Sequence, residues 1–239
     1  MIYKPMVFLP AIILAVSGLI SSWFLVGILT RWRCDRRLRA SVTGRGILAL
    51  TYDDGPGNRT TPELLDLLNK HATGATFFLI GDSAEEDPEI VSRLKDEGHT
   101  VGWHTRTHHN QWKTGPIRGL ADLVPSAGLL GDGVGSIRLF RPPYGKMTLG
   151  TVATCLVRGW RIITWTHVSG DTHRELPSTE SFIREVDRSG GGVVLMHDMD
   201  REDPTRAAFV LAVTEGLIDL AKRRDWRIVH SLEDWGRIA

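Results

Sequence analysis

Strand-like and helix-like segments alternate from residue 46 to the end of the chain, and this alternation strongly constrains the fold. Short apolar segments predict strands at residues 47–52, 75–80, 100–103, 136–140, 161–165, 192–196 and 226–229. Longer segments predict helices near residues 62–71, 88–97, 149–157, 179–188 and 204–223. Strands interleaved with helices predict an α/β fold with a parallel sheet, either closed as a barrel or open and doubly wound.

The positions of the chemically reactive residues favour the barrel. These residues lie at or just after the ends of different predicted strands: Asp53, Asp54, His104, Arg141, Asp171 and His197. A parallel barrel gathers its strand ends around one mouth, whereas an open sheet would spread some of them along a crevice. We therefore expect a barrel of about seven parallel strands, with no internal repeat and no second domain.

The first 45 residues differ in character from the rest of the chain. Residues 6–30 carry no charge and are rich in Ile, Leu, Val, Ala and Phe. At about 1.5 Å per residue, such a helix crosses a hydrocarbon core of about 30 Å. A cleaved secretory signal is the alternative, but the apolar run is long for a signal, and its small-residue candidate at residues 15–17 lies inside the run. We expect an uncleaved anchor with a basic flank in residues 1–45 and one folded domain in residues 46–239.

Positive charge follows the apolar segment instead of preceding it. Lys4 precedes the segment, and five arginines follow it: Arg31, Arg33, Arg36, Arg37 and Arg39. The positive-inside rule then predicts a single-pass protein of the cell membrane with its domain facing the cytoplasm. The opposite, extracytoplasmic orientation remains the alternative. The arginines either bind anionic lipid headgroups or form a generic stop-transfer flank.

Charge and cysteine content argue against two other classes of protein. Lys and Arg total 29 against 28 Asp and Glu, so the net charge gives no reason to expect a nucleic-acid partner. The two cysteines, Cys34 and Cys155, are far apart and show no Cys-x-x-Cys spacing. The sequence therefore indicates neither a disulfide framework nor a cysteine metal site.

Two adjacent carboxylates and two histidines four residues apart indicate a metal hydrolase. Asp53 and Asp54 follow an apolar strand, and His104 and His108 follow another. One carboxylate and two imidazoles can bind a divalent ion, which leaves the second carboxylate free to act as a base. The spacing of the two histidines predicts that both lie on one face of a helical turn. A turn at the acidic pair and a surface histidine pair are the simpler readings of each motif alone.

Five short motifs between residues 46 and 235 resemble those of the NodB-homology polysaccharide deacetylases. This carbohydrate esterase family removes N- or O-acetyl groups from sugars. The motifs are Thr-Tyr-Asp-Asp-Gly-Pro at 51–56, His-Thr-Arg-Thr-His at 104–108, Arg-Pro-Pro-Tyr at 141–144, a loop at 165–172, and Val-Leu-Met-His-Asp at 194–198. The resemblance implies a distorted (β/α) barrel that binds one divalent metal ion, usually zinc.

The resemblance also implies roles for the acidic pair and its partners. Asp54 is implied to be a metal ligand together with His104 and His108, and Asp53 to be the general base. Such a division is physically reasonable, because a carboxylate bound to a cation is a poor base. Arg141 is implied to pair with Asp53 and to orient it.

Further roles follow from the last three motifs. The backbone N–H of Tyr144 is implied to donate to the oxyanion of a tetrahedral intermediate. His197 is implied to be the general acid that protonates the leaving amine, with Asp171 accepting a hydrogen bond from it. Leu195 is implied to line the pocket for the acyl group. The simpler reading of His197 is a structural histidine at a strand end.

The loop at residues 165–172 departs from the family pattern. Family members often have Asp-x-x-Asp-Trp here, after an earlier Trp that corresponds to Trp165. Val168 stands in place of the first Asp and Thr172 in place of the Trp, whereas Asp171 matches the second Asp. Because that Trp helps to wall the acyl pocket in the family, the substitution bears on pocket size and substrate.

We therefore expect a metal-dependent hydrolase that removes an N-acyl group, acetyl or formyl, from an amino sugar. The substrate is a cell-envelope polysaccharide or a lipid-linked glycan. The alternative from another functional class is a non-catalytic, membrane-anchored carbohydrate-binding protein that retains the fold. That alternative predicts the loss of a metal ligand, the base or the acid.

Overall fold

The computed structural model of the protein describes residues 8–125 and 138–239. Residues 6 and 7 of the apolar run and residues 136 and 137 of the fourth predicted strand lie outside the described residues. In the two described ranges the sheet comprises eight strands: β1 Ile47–Asp53, β2 Thr76–Leu79, β3 Thr100–Trp103, β4 Leu139–Phe140, β5 Arg161–Ile162, β6 His167–Val168, β7 Gly191–His197 and β8 Arg227–Ile228. Every pair of neighbouring strands is parallel, which confirms the predicted α/β fold.

Strand β1 is the centre of the sheet. The order is β5-β4-β3-β2-β1-β7-β6, with β8 paired to the start of β1. One edge of β1 pairs along its whole length with β7. The other edge pairs with β8 at Ile47 and Leu48 and with β2 from Thr51 onwards. Within residues 8–125 and 138–239 no ladder joins β5 to β6, so the sheet is a curled barrel that stays open at this seam.

Nine α-helices and one 3₁₀ turn surround the sheet in the described ranges. The helices are α1 Phe8–Val42, α2 Thr60–Lys70, α3 Gly81–Glu86, α4 Pro88–Asp96, α5 Pro116–Asp122, α6 Leu149–Arg158, α7 Thr179–Ser189, α8 Pro204–Arg224 and α9 Leu232–Ile238, and the 3₁₀ turn is Pro143–Gly145. The sequence predicts all of the longer ones. It misses β6 and the helices α3, α5 and α9, each of which has at most seven residues.

The alternation of side chains along β1 separates two cores and directs the acidic pair into the barrel. Leu48, Leu50 and Tyr52 pack outward against the helices. Ala49 belongs instead to an inner cluster that fills the barrel below the site. Because successive strand residues point to opposite faces, Asp53 shares the inward face of Ala49. The last inward-facing residue of β1 is therefore a carboxylate at the mouth of the barrel.

Helix α1 packs against the barrel and supplies part of its interior. Leu38 and Val42 are buried in the inner cluster with residues of β1, β2, β4 and α9. Closer to the N-terminus of the same helix, the Arg31 guanidinium lies 4.2 Å from the ring centre of Trp165, which belongs to the segment between β5 and β6. The helix therefore covers the open seam of the sheet.

Among the described residues, α1 is the helix with the length and apolar composition of a membrane span, and it lies near the N-terminus. Signal sequences share these properties. The C-terminal third of α1 resembles neither a membrane span nor a signal sequence, because it carries the arginines and the buried residues Leu38 and Val42. This part of the helix belongs structurally to the barrel.

Truncation of Leu38 tests this packing. We expect Leu38→Ala to lower the free energy of unfolding by about 2–5 kcal/mol, because it removes a side chain that is 2% exposed and leaves a cavity. Leu156→Ala is the matched control, since Leu156 on α6 is 78% exposed. Denaturant unfolding of the purified full-length protein measures both. Equal losses for the two variants would contradict the packing of α1 into the barrel.

Candidate active site

A cavity of about 550 Å³ opens at the carboxyl ends of the strands. Asp53 ends β1 and His197 ends β7, and the two residues are partners in the ladder. Asp54 follows directly, with a left-handed backbone conformation (φ 70°). The residues that line the cavity are Asp53, Asp54, Ile80, His104, His108, Tyr144, Trp165, Val168, Thr172, Leu195, His197, Met199 and Arg201.

Asp54, His104 and His108 converge on one point of the cavity wall. The Nε2 atoms of His104 and His108 lie 3.2 Å and 3.1 Å from Asp54 Oδ1. One ligand atom from each residue lies within 4.8 Å of the other two. His104 Nδ1 is 2.7 Å from the carbonyl oxygen of Arg141. Because a carbonyl only accepts, Nδ1 carries the hydrogen and the Nε2 lone pair faces the cavity.

The chemistry of this group fits a divalent cation. Asp54 Oδ1 is buried and makes no hydrogen bond in the described part of the chain, although two imidazoles stand near it. Burial opposes ionisation of Asp54, but the His104 imidazole, with smaller effects of His108 and His197, lowers its pKa to about 2, because these rings are protonated at the low pH where Asp54 titrates. Burial lowers the pKa of His108, which favours the neutral imidazole that binds metals. Two neutral imidazole nitrogens and one carboxylate oxygen are typical zinc ligands.

The prediction of a helical turn between His104 and His108 is wrong. Residues 104–108 form an irregular bend after β3, with left-handed backbone at Thr105 (φ 67°) and His108 (φ 58°). Hydrogen bonds hold the bend: the backbone N–H and hydroxyl of Thr107 both donate to Asp122 Oδ1 at 2.7 Å. These tertiary contacts impose a bend where the four-residue spacing predicted a helical turn. They still place the centres of the two imidazole rings 5.0 Å apart.

Asp53 pairs with Arg141 inside the barrel. Arg141 Nη1 donates to Asp53 Oδ1 at 2.7 Å and to the Thr51 hydroxyl at 2.8 Å. Its other nitrogens donate to the carbonyl oxygens of Ile163 and Thr164. Asp53 Oδ2 lies 3.8 Å from His104 Nε2, on the side of the metal-type ligands. One carboxylate oxygen is therefore fixed by Arg141, and the other faces the cavity.

His197 is oriented by Asp171. Its Nδ1 lies 3.0 Å and 3.1 Å from the two carboxylate oxygens, and its backbone N–H donates to Asp171 Oδ2 at 2.8 Å. Burial opposes protonation, but Asp171, with smaller effects of Asp53 and Asp54, raises the pKa of His197 to about 9. A cation bound at Asp54 would lower that pKa again. His197 Nε2 faces the cavity, 4.0 Å from Asp54 Oδ2.

The remaining predicted residues form the walls. Leu195 and Trp165 line the cavity, as do Val168 and Thr172, the two positions that depart from the family pattern. Tyr144 sits in the 3₁₀ turn with a left-handed backbone (φ 56°), and its ring centre lies 4.7 Å from that of His108. Arg141 and Asp171 lie behind the wall, and the other eight predicted site residues line the cavity.

The sequence motifs assign no role to two residues that support the site, Asp198 and Asp122. Asp198 is completely buried beneath the acidic pair, where burial raises its pKa to about 7 and the Thr61 hydroxyl donates to it at 2.6 Å. Asp122 holds the bend that carries His108. Asp198 is the last residue of the motif at 194–198, which is a signal in the sequence, although the motif gave it no role. No local pattern marks Asp122, because its partners lie about fifteen residues earlier.

Known proteins share both the sequence and the fold. The polysaccharide deacetylase family matches residues 40–156. A peptidoglycan-N-acetylglucosamine deacetylase of Bacillus cereus is 30% identical over 185 residues, which cover 77% of this chain and 85% of that protein. A chitooligosaccharide deacetylase of Bradyrhizobium sp. is 32% identical over 167 residues, which cover 68% of this chain and 75% of that protein.

A solved structure gives the same result. The crystal structure of the Bc1960 peptidoglycan N-acetylglucosamine deacetylase superimposes with a TM-score of 0.68 and 27% identity, and it covers 79% of this chain and 88% of that one. The family expected from the five motifs is thereby confirmed. The chain belongs to the polysaccharide deacetylase family of carbohydrate hydrolases.

Proposed function

We propose that this deacetylase is metal-dependent and removes an N-acetyl or N-formyl group from an amino sugar of a cell-envelope glycan. One observation carries the proposal. The ligand set of Asp54, His104 and His108 shares one cavity with a carboxylate fixed by Arg141 and with His197. The non-catalytic alternative requires one of these groups to be missing, and none is. The names of the relatives, which specify peptidoglycan N-acetylglucosamine and chitooligosaccharides, support the substrate class.

Asp54, His104 and His108 would hold the metal ion, and zinc is our proposal on the basis of the two nitrogens and one oxygen. When bound, the ion supplies Lewis acidity for the acyl carbonyl and lowers the pKa of water. The protein fixes the geometry in advance. The Arg141 carbonyl sets the tautomer of His104, and the Asp122 contacts set the position of His108.

Asp53 is the proposed general base. Arg141 and the fold of β1 hold Oδ1, so Oδ2 is the oxygen available to take a proton from an attacking water. The guanidinium that orients Asp53 is itself completely buried. Asp53 therefore cannot rotate away from the cavity without leaving that charge unpaired.

His197 is the proposed general acid. Asp171 occupies Nδ1, which leaves the Nε2 hydrogen directed to the cavity for transfer to the departing amine. The ring of Tyr144 lies beside that of His108, and we propose that the backbone N–H of Tyr144 stabilises the oxyanion. Leu195 and Trp165 supply the apolar surface for the acyl group.

We further propose that α1 is an uncleaved single-pass anchor and that the domain faces the cytoplasm. The apolar run supports the span, and the arginines at residues 31–39 support the orientation. The packing of Leu38 and Val42 in the barrel supports retention of the helix in the mature protein. A lipid-linked amino sugar is the substrate that suits this location, whereas the opposite orientation would suit peptidoglycan or another envelope polysaccharide.

The Asp53→Asn variant tests the base. We expect normal metal content and a fall in kcat of about 10²–10⁴-fold, because the amide keeps the shape of the side chain but cannot accept the proton. Amine release from an N-acetylated chitooligosaccharide and elemental analysis measure the two quantities. The control is Asp219→Asn, on an exposed position of α8. Unchanged turnover in Asp53→Asn would overturn the assignment.

Removal of the metal tests the ligand set. We expect a chelator to abolish amine release and added zinc to restore it, because no side chain replaces the Lewis acid. His108→Ala should bind well below one ion per chain, since it leaves two ligands, whereas His173→Ala, at an exposed position, should bind as much as the unmodified protein. Full activity of the metal-free protein, or equal metal content in both variants, would refute the site.

Substitution of Thr172 tests the acyl pocket. Thr172→Trp should narrow the cavity and lower kcat/KM for an N-propionyl sugar about tenfold more than for the N-acetyl sugar, because an added methylene no longer fits. The ratio of the two rates with one enzyme preparation is an internal control for folding. An unchanged ratio would show that Thr172 does not limit the acyl group.

A further inference from the structure

We propose that the catalytic domain has its own membrane-contacting face beside α1, and that this face places the active-site cavity at the bilayer surface. The face consists of exposed apolar side chains around α5 and the start of α6: Trp112, Ile117, Leu120, Val124 and Leu149. Ile117 is 85% exposed. We call this surface the α5 face. Its proposed partner is the phospholipid bilayer. The inference builds on the proposed span and goes beyond it, because a span alone requires no contact between domain and lipid.

The α5 face is joined directly to the apolar part of α1. A Cβ atom on Gly150 would lie 3.0 Å from both Trp23 of α1 and Leu120 of α5, so three helices meet there. The rings of Phe24 and Trp112 make an edge contact with centres 6.1 Å apart. The domain is therefore docked on residues that belong to the uncharged run at 6–30 and not only on the basic segment after it.

The depth of this contact follows from the helix geometry. Arg31 is the first charged residue after the apolar run, so it marks the polar boundary of a spanning helix. Trp23 precedes it by eight positions, or about 12 Å along a helix that rises about 1.5 Å per residue. The docking contact thus lies on the membrane side of the boundary. Domain residues that touch Trp23 and Phe24 must reach the same depth.

The free side of α1 supports this placement. At the same turns, Leu25, Ile28 and Leu29 remain about half exposed on the side of the helix that the domain does not cover. Such side chains are stable when lipid surrounds them and costly to expose to water. If lipid covers them, it also reaches the domain surface at the same level, which is the α5 face.

The charges around the α5 face suit a headgroup layer. Lys113 and Arg118 are exposed beside its apolar residues. The ammonium of Lys146 lies 4.4 Å from the ring centre of Trp112, whose indole N–H donates to the Met147 carbonyl. Asp122 is the sole acid in residues 110–124, and it is buried under Thr107. An apolar centre with a cationic and tryptophan border is typical of surfaces that lie in the interface of anionic membranes.

The active-site cavity lies close to this level. Arg31 Nη1 donates to the carbonyl oxygen of Gly145 at 3.2 Å, next to Tyr144, and its guanidinium covers Trp165. Tyr144 and Trp165 both line the cavity. The boundary residue of the span therefore contacts the rim of the cavity directly. The enzyme would meet its amino sugar at the membrane surface, as a lipid-carried or membrane-adjacent glycan.

Spin labels on the full-length protein test the proposal. The background carries Cys34→Ser and Cys155→Ala, and single cysteines are introduced by Leu14→Cys in the span, Ile117→Cys in the α5 face and Asp219→Cys on the exposed side of α8. Each labelled protein is reconstituted in phosphatidylethanolamine–phosphatidylglycerol vesicles. EPR power saturation then compares collisions with oxygen, which concentrates in lipid, and with a water-soluble nickel chelate. Unchanged unfolding midpoints show that the variants fold.

We expect labels at positions 14 and 117 to give oxygen-to-nickel ratios several-fold above that at position 219. A water-like ratio at 117 with a lipid-like ratio at 14 would overturn the α5 face and leave the span intact. A label at 117 shielded from both reagents would indicate a protein partner and would also overturn the proposal. A water-like ratio at 14 would overturn the span and the α5 face together, independently of the deacetylase assignment.

Discussion

The site depends on the buried Arg141 guanidinium. It joins three parts of the barrel, because it belongs to the loop after β4 and donates to Asp53 and Thr51 on β1 and to carbonyl oxygens after β5. A charge that is fully removed from water is tolerated only when its donors are paired. Its own carbonyl also fixes the His104 ring. One residue therefore positions both the proposed base and a proposed metal ligand, so these two functions cannot move independently.

Strain at the cavity is balanced by polar contacts behind it. Asp54, His108 and Tyr144 all adopt left-handed backbone, which costs non-glycine residues of order 1 kcal/mol or more. Asp122 holds the bend before His108, and Asp198 with Thr61 supports the turn after Asp54. Because α5 carries Asp122 on its inner side and Ile117 on its outer side, the helix that holds the loop of a proposed metal ligand is also the proposed contact with lipid.

The sequence predicts the long parallel strands and the reactive residues at their ends, because both leave local patterns: apolar runs, and rare residue types directly after them. It predicts wrongly where tertiary contacts decide the conformation. The His104–His108 spacing reads as a helical turn, but the Thr107–Asp122 hydrogen bonds impose a bend. The sequence does not predict the docking of α1 either, because an apolar helix has the same sequence pattern whether lipid or protein covers it. The contacts of Trp23, Phe24 and Leu38 with the domain distinguish a docked helix from a free one.

The docking of α1 bears on how far the enzyme can reach. A flexible linker of n residues would let a tethered domain sample a radius of about 5–6 Å × √n. Here α1 passes from the apolar run into the barrel core at Leu38 and Val42 without any linker. With α1 in a membrane, the cavity stays at one fixed height, and the search for substrate becomes two-dimensional diffusion. Distant polymer chains are then out of range however abundant they are, and encounter rates depend on the surface density of the glycan.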